Sequence, residues 1–282
     1  SRPAGAGLRA LMKQAQLDPA KKKLTTTDIG FRLGPRINAA GRMDVASEIV
    51  ELFTTRDVAR AQELAEKLER LNTERRATEL LALEQIDLLL AEDTSFADAR
   101  CLVISGAGWH RGVIGILASR VVDRLGKPAI VITEEEGTAY GSGRSVPGFH
   151  LLEAIESCLD LFTRAGGHAH AVGFSLPADR VPELRRRLEA YALEHIPAEM
   201  AVTALECDAI LPLESVTPEL FRWLRMLEPV GMGNPEPVFV ARNVRVCGPV
   251  RILKARHIKL ALSLCVDGKP GRKMIAALGW HW

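Results

Sequence analysis

The rhythm of apolar and polar positions changes several times along this 282-residue chain, and each change predicts an element. From about Thr54 to Asp93, the residues Val58, Ala61, Leu64, Ala65, Leu68 and Leu71 recur at i, i+3 and i+4, which is one buried stripe of a helix. No glycine or proline interrupts the stretch, and Thr54 with Asp57 suits a capping box. One helix, or two with a kink, would run ~55 Å. Its other face is rich in Arg, Glu and Lys, as expected of a helix that links domains. Ahead of it, residues 1–53 predict two short helices and a glycine-rich connection, "RLGPRINAAGRMD".

The pattern then turns to strands. "RCLVIS" (100–105) and "KPAIVIT" (127–133) are short apolar runs on either side of the loop "GAGWHRG" and the helix "VIGILASRVVDRLG" (113–126), closed by Gly126. Strand, loop, helix and strand in that order predict a βαβ unit with parallel strands and a right-handed crossover. "TAYGSGRS" reads as a third strand, "PGFHLLEAIESCLDLF" as a helix with Pro147 near its start, and "GGHAHAVGFSL" (166–176) as an edge strand. Pro177 to His195 reads as an amphipathic helix with three exposed arginines at 185–187. Residues 202–282 alternate as short strands, with turns at 248–249 and 267–270 around one helix, "PELFRWLRML". That pattern suits an OB-type barrel. The fold class is therefore α/β: a long connector helix, a domain with a mainly parallel or mixed sheet, then a β-barrel.

Composition adds exclusions. The chain is long enough for two domains, no apolar run could span a bilayer, and no signal peptide opens it. A cytoplasmic protein is expected, with Ser1 and Trp282 as boundaries inside a longer chain. The five cysteines (Cys101, Cys158, Cys207, Cys247, Cys265) are scattered and never spaced Cys-x-x-Cys, which predicts reduced, mostly buried thiols. The net charge of +2 says nothing of a polyanionic partner.

Three stretches have the chemistry of a phosphate cradle, in which glycine N–H groups, hydroxyls and an arginine fork meet the anion. They are "PRINAAGR" with Arg36 and Arg42, "YGSGRS" with Ser142, Gly143, Arg144 and Ser145, and "AGGHAH" with Gly166, Gly167 and His168. A tight turn with a solvated arginine is the bland alternative for each. Trp109 and His110 are candidates to stack on a base, against the alternative of a Trp packed on the following helix. His168 and His170 form a His-x-His pair, but no Asp or Glu lies close enough in sequence to complete a metal set. Arg245, Arg251, Lys254, Arg256, His257 and Lys259 lie along one late stretch, an electrostatic track for a nucleic-acid backbone or else a solvated strand face. No carboxylate cluster, Gly-x-Ser-x-Gly elbow or Walker loop is present.

"RLGPRINAAGRM", "LNTERR", "GWHRGVIGILASR", "GSGRSVPGFHLLEAI", "GGHAHAVGFSL" and "LEPVGMGNPEPVF" occur in this order across essentially the whole chain. In order and spacing they resemble the RecJ family of bacterial single-strand-specific exonucleases, within the DHH superfamily. The resemblance implies the end of a preceding domain at 1–53, the connector helix at 54–95, a DHH-associated domain at 96–200 and a truncated OB domain at 201–282. It implies 5′→3′ digestion of single-stranded DNA in repair and recombination by the intact protein. Two Mn²⁺ or Mg²⁺ ions would be held by a catalytic domain outside this chain, which alone would be inactive. Single-strand-binding protein and a recombination helicase are the implied partners, and a monomer the implied state. Ser142-Gly143-Arg144 and Gly166-Gly167-His168 would hold the 5′-terminal phosphate, joined by Arg42 or Arg36. An oligonucleotide or cyclic-dinucleotide phosphodiesterase of the same superfamily, and a non-catalytic nucleic-acid-binding scaffold, are the other readings.

Overall fold

The structure, a computed structural model, describes residues 5–21, 23–42, 46–197, 206–231, 233–253, 257–266 and 269–280. It divides into two units, Ser1–Thr203 and Ala204–Trp282.

The first unit begins with helices α1 (Ala6–Gln14), α2 (Thr26–Asp28), α3 (Gly34–Arg42) and α4 (Ala46–Thr54), with a π turn at Ile29–Leu33 joining α2 to α3. Helices α1, α3 and α4 pack on the first half of the 35-residue helix α5 (Val58–Glu92), closing a core around Leu11, Met12, Leu52, Leu64 and Leu68. The expected Thr54–Asp57 capping box does not form. Thr54 ends α4, its Oγ1 donating to the Val50 carbonyl at 2.8 Å. Asp57 alone caps α5, accepting from Ala59 and Arg60 N–H at 2.8 and 3.3 Å. The buried face of α5 is apolar at both ends and polar at its middle, where Asn72, Arg75 and Glu79 are buried. Arg75 reaches Glu79 at 2.5 Å, and Arg120 of the next long helix reaches the same carboxylate at 3.1 Å. Beyond this cluster, Ala82 and Ile86 join a second core.

That core belongs to a five-stranded sheet. After α6 (Ser95–Asp98) come β1 (Leu102–Ala107), α7 (Arg111–Leu125), β2 (Ala129–Glu135), β3 (Thr138–Arg144), α8 (Leu151–Glu156), β4 (Arg164–His168), β5 (Ala171–Pro177) and α9 (Val181–His195). The strand order is β1-β2-β3-β5-β4. β1 and β2 pair in parallel, as a βαβ unit requires, and every other pairing is antiparallel. Gly126, left-handed at φ 64°, ends α7. One face of the sheet meets α7 and α5 through Leu102, Ile104, Ala129 and Val131. The opposite face meets α8 and α9 through Val103, Ile130, Ile132, Val172 and Leu176.

Three sequence expectations change here. "GGHAHAVGFSL" is not one strand but a hairpin, with β4 at the edge and β5 inside. Gly167 allows the tight return: its φ is +154°, and a Cβ there would lie 2.3 Å from the Ala171 carbonyl oxygen. His168 and His170 are therefore a strand end and a turn, not one face of a strand. The helix expected from Pro147 begins only at Leu151, because Gly148 has a positive φ of 87° and His150 is the N-cap. Of the arginines at 185–187, only Arg186 is exposed; Arg185 and Arg187 are half-buried in ion pairs.

The second unit contains a short parallel pair, β6 (Ala209–Ile210) with β7 (Phe239–Val240), and helix α10 (Pro218–Leu224), whose Thr217 cap accepts from Leu220 N–H at 3.1 Å. An antiparallel meander of β8 (Val244–Leu253), β9 (His257–Val266) and β10 (Lys269–Trp280) follows. The turn expected at 248–249 is instead a bulge within β8: the register shifts between Cys247 and Arg251, and Gly248 takes a φ of +79°. Of the turn expected at 267–270, residues 267 and 268 lie outside the described residues. The thiols also depart from expectation. Cys101 and Cys158 are buried, but Cys207 is exposed ahead of β6, and Cys247 on β8 and Cys265 on β9 are half-buried.

Candidate nucleic-acid interface

The α7 side of the sheet is only partly covered. Helix α7 lies on β2 and β3, so the face of β5 and β4 continues outward as an uncovered shelf. Alternation along β3 puts Tyr140, Ser142 and Arg144 on this face, while Gly141 and Gly143 face the other core. Side chains opposite one another in register share a face. Ser142 therefore aligns with Gly173 and Gly166, and Arg144 with Ala171 and His168.

A cleft of about 660 Å³ opens where the shelf meets the start of α7 and the end of α3, lined by Arg42, His110, Arg111, Ser142 and Arg144 among others. Two glycines of α7 make the approach possible. A Cβ on Gly112 would lie 2.3 Å from the Arg42 carbonyl oxygen, and one on Gly115 would lie 3.1 Å from Ser142 Oγ and 3.2 Å from Arg144 Nη2. Arg144 Nη1 donates to the Gly143 carbonyl at 2.8 Å and to Ser142 Oγ at 3.3 Å. Arg42 Nη1 donates to the Gly112 carbonyl at 3.1 Å.

The electrostatics of this end are one-sided. Burial, and then the neighbouring Arg42 charge, push the Arg144 guanidinium below its ordinary pKa; arginine nonetheless stays protonated. Among the described residues neither Arg42 nor Arg144 forms an ion pair with a carboxylate. Two partly buried like charges held together without a counter-ion raise each other's energy. An anion between them relieves that repulsion and accepts from both forks.

The remaining candidates separate clearly. Arg36 is turned away from the cleft, held by Glu69 of α5 and by the Arg32 carbonyl. Gly143 is a packing residue, since a Cβ there would meet Val172, Leu151 and Ile130 at 2.8–3.0 Å. Ser145 braces its own loop, its Oγ donating to the Phe149 carbonyl at 2.7 Å. Gly166, Gly167 and His168 lie exposed on β4, the outer part of the shelf. His110 is exposed at the rim and caps α7, its Nδ1 accepting from Gly112 N–H at 3.0 Å. Trp109 is buried and has no face open to a base: it is 4% exposed, and its Nε1 donates to Gln85 at 2.6 Å. Its ring takes the space left free by Gly106, where a Cβ would lie 2.4 Å from it.

Of the late basic stretch, Lys254 and Arg256 lie outside the described residues. Arg251 and Lys259 are exposed and face each other across β8 and β9. His257 packs edge-on against Trp280 at 5.0 Å, and Arg245 stands opposite Ser263. Reading the sequence alone missed Arg111, Glu135 and Tyr140 in the cleft. Tyr140 was legible from its two-residue spacing to Ser142; Arg111 and Glu135 come together only through the fold.

Residues 98–194 match the DHHA1 domain family and residues 207–282 the RecJ OB domain family. The single-stranded-DNA-specific exonuclease RecJ of Bacillus subtilis is 37% identical over 261 residues, covering 91% of this chain and 32% of its own length. The crystal structure of RecJ in complex with Mn²⁺ from Thermus thermophilus superposes with a TM-score of 0.79 at 31% identity, over 97% of this chain and 38% of that one. This chain belongs to the RecJ family. A second RecJ structure from the same organism, in complex with Mg²⁺, matches with a TM-score of 0.76 at 30% identity and is covered over 46% of its length. The chain thus spans about a third to a half of the RecJ proteins it matches. Among the described residues, no group of three His, Cys, Asp or Glu side chains could hold a metal ion. The divalent ions of those RecJ structures find no fitting set of ligands among the described residues. No helix among the described residues is long and apolar enough to cross a membrane.

Proposed function

We propose that this chain is the substrate-binding part of a RecJ-type 5′→3′ exonuclease, holding single-stranded DNA by its 5′-terminal phosphate. The observation that carries the reading is the pair Arg42 and Arg144, brought to one cleft without a carboxylate partner among the described residues. A terminal phosphate monoester carries more charge and one more free oxygen than an internal diester, so it satisfies two forks better than any point along the strand. Ser142 and the open glycine row of Gly173 and Gly166 leave room for the backbone to leave across the shelf. Arg42, rather than Arg36, is the partner of Arg144 in this reading. Hydrolysis would come from a metal-binding domain in the intact protein, since the described residues offer no carboxylate cluster for two-metal chemistry. The exposed Arg251 and Lys259 of the second unit would add salt-sensitive contacts to the strand.

The test uses the wild-type chain and three strands of one sequence, ending in a 5′-phosphate, a 5′-hydroxyl or a 3′-phosphate. Tightest binding is expected for the 5′-phosphate, with the other two weaker and similar. Equal affinity for all three would remove end recognition from this cleft.

A further inference from the structure

The cleft has a second end of different chemistry. There the Arg111 guanidinium carbon sits over the Tyr140 ring, 3.5 Å from its centroid, and the group faces the Glu135 carboxylate at 4.0 Å. Arg111 stays exposed over 53% of its side chain even though one face rests on the ring. The arrangement is a planar cation fixed by an aromatic below and an acid beside it, with its remaining surface open to solvent. Its charge is already met, which makes it a poorer phosphate ligand than Arg42 and Arg144. Its seat over an aromatic ring, with much of its surface open, is what distinguishes it.

We propose that Arg111, supported by Tyr140 and Glu135, is a stacking platform for the nucleobase of the 5′-terminal nucleotide. This rests on the reading that the terminal phosphate lies between Arg42 and Arg144. Tyr140 and Ser142 are two residues apart on one face of β3, roughly 7 Å at the rise of a strand. That is the scale on which a nucleotide separates its 5′-phosphate from its base. Guanidinium planes accept stacked bases without regard to sequence, as a nuclease that degrades any strand needs. Glu135 repels phosphate and so favours a base at this end, where its oxygen can also accept from an exocyclic amine. The buried Trp109 cannot perform this role, and the only other aromatic carbocycle among the described lining residues, Phe174, is buried in the opposite core.

The experiment measures binding of 5′-phosphorylated DNA whose terminal nucleotide is either normal or abasic, with an abasic site at the fifth position and a 5′-hydroxyl strand as controls. Wild type is expected to bind the terminal-abasic strand about tenfold more weakly, the scale of one stacked base. Arg111→Ala is expected to lose about as much on the normal strand and to show no further loss on the abasic one. Arg111→Lys keeps the charge beside Glu135 but not the plane, and is expected to behave like Arg111→Ala. In both variants the preference for phosphate over hydroxyl stays at the wild-type ratio. Equal wild-type affinity for normal and terminal-abasic strands, or an abasic penalty that survives in both variants, would overturn the platform. Loss of the phosphate preference in wild type itself would instead overturn the phosphate site, leaving the abasic comparison to judge the platform by itself.

Discussion

Helix α9 carries three consecutive arginines, Arg185, Arg186 and Arg187, and the cleft brings together two, Arg42 and Arg144. On α9 each of the three arginines meets a carboxylate. Arg187 meets Asp160 at 2.6 Å and Glu183 at 2.9 Å, Arg186 meets Glu183 at 2.7 Å, and Arg185 reaches Asp93 at 3.7 Å. The hydrogen bonds from Arg186 and then Arg187 hold the Glu183 carboxyl down at about 2. In the cleft the sign of the environment is reversed: Arg144 feels burial and another arginine. The denser cluster is therefore saturated, while the sparser one is available to an outside anion. Counting basic residues along a chain measures neither; what matters is whether the fold supplies the counter-charge.

Substitutions separate the two arginine clusters. The largest effect is expected for the double variant Arg42→Ala with Arg144→Ala. Each charge-assisted bond is worth about 1.5–3 kcal/mol, so affinity for a 5′-phosphorylated strand should fall by about a hundredfold or more. Affinity for the 5′-hydroxyl strand should be little changed. An equal fall for both strands in a titration would make the pair a general backbone contact.

A smaller effect is expected at Gly115, where an added Cβ crowds Ser142 Oγ and Arg144 Nη2 at 3.1 and 3.2 Å. Gly115→Ala improves helix propensity by about 1 kcal/mol, so thermal stability should hold or rise. The preference for 5′-phosphate should nonetheless drop several-fold, because the guanidinium must move aside. Unchanged preference would mean that the cleft tolerates its fork elsewhere.

The smallest effect belongs to α9. Glu183 has a folded-state pKa lowered from 4.5 to about 2, so its ion pairs stabilise the protein above the unfolded pKa. That contribution fades as pH falls from 4.5 toward 2. Glu183→Gln should melt slightly below wild type at neutral pH, as expected for solvent-exposed pairs. The gap should close in acid, and DNA binding should not change. A melting difference that persists at the acid end would assign the effect to packing instead of charge.

Much of this architecture was legible in the residues. The uninterrupted period of α5, the βαβ unit, the strand carrying Ser142 and Arg144, and the order of the six motifs all follow from local pattern. What local pattern could not supply was partnership across the chain. Arg36 and Arg42 are alike as neighbours in "PRINAAGR"; only Glu69, 33 residues on, separates them by engaging Arg36. Trp109 reads as a loop aromatic until Gly106 and Gln85 are seen to enclose it. Gly143 and Gly166 look equivalent beside charged residues, yet one faces a packed core and the other an open shelf. The hairpin of β4 and β5 was hidden because its two-residue turn, Ala169 and His170, carries neither glycine nor proline.

The most direct test of the central claim is a thermodynamic cycle on one residue from each cluster. Affinities for 5′-phosphorylated and 5′-hydroxyl strands would be measured for wild type, Arg144→Ala and Arg186→Ala in the same buffer. Arg144→Ala is expected to lower the phosphate preference by about ten- to a hundredfold, while Arg186→Ala leaves it at the wild-type value. A phosphate preference that survives Arg144→Ala, or one that falls equally with Arg186→Ala, would contradict the claim.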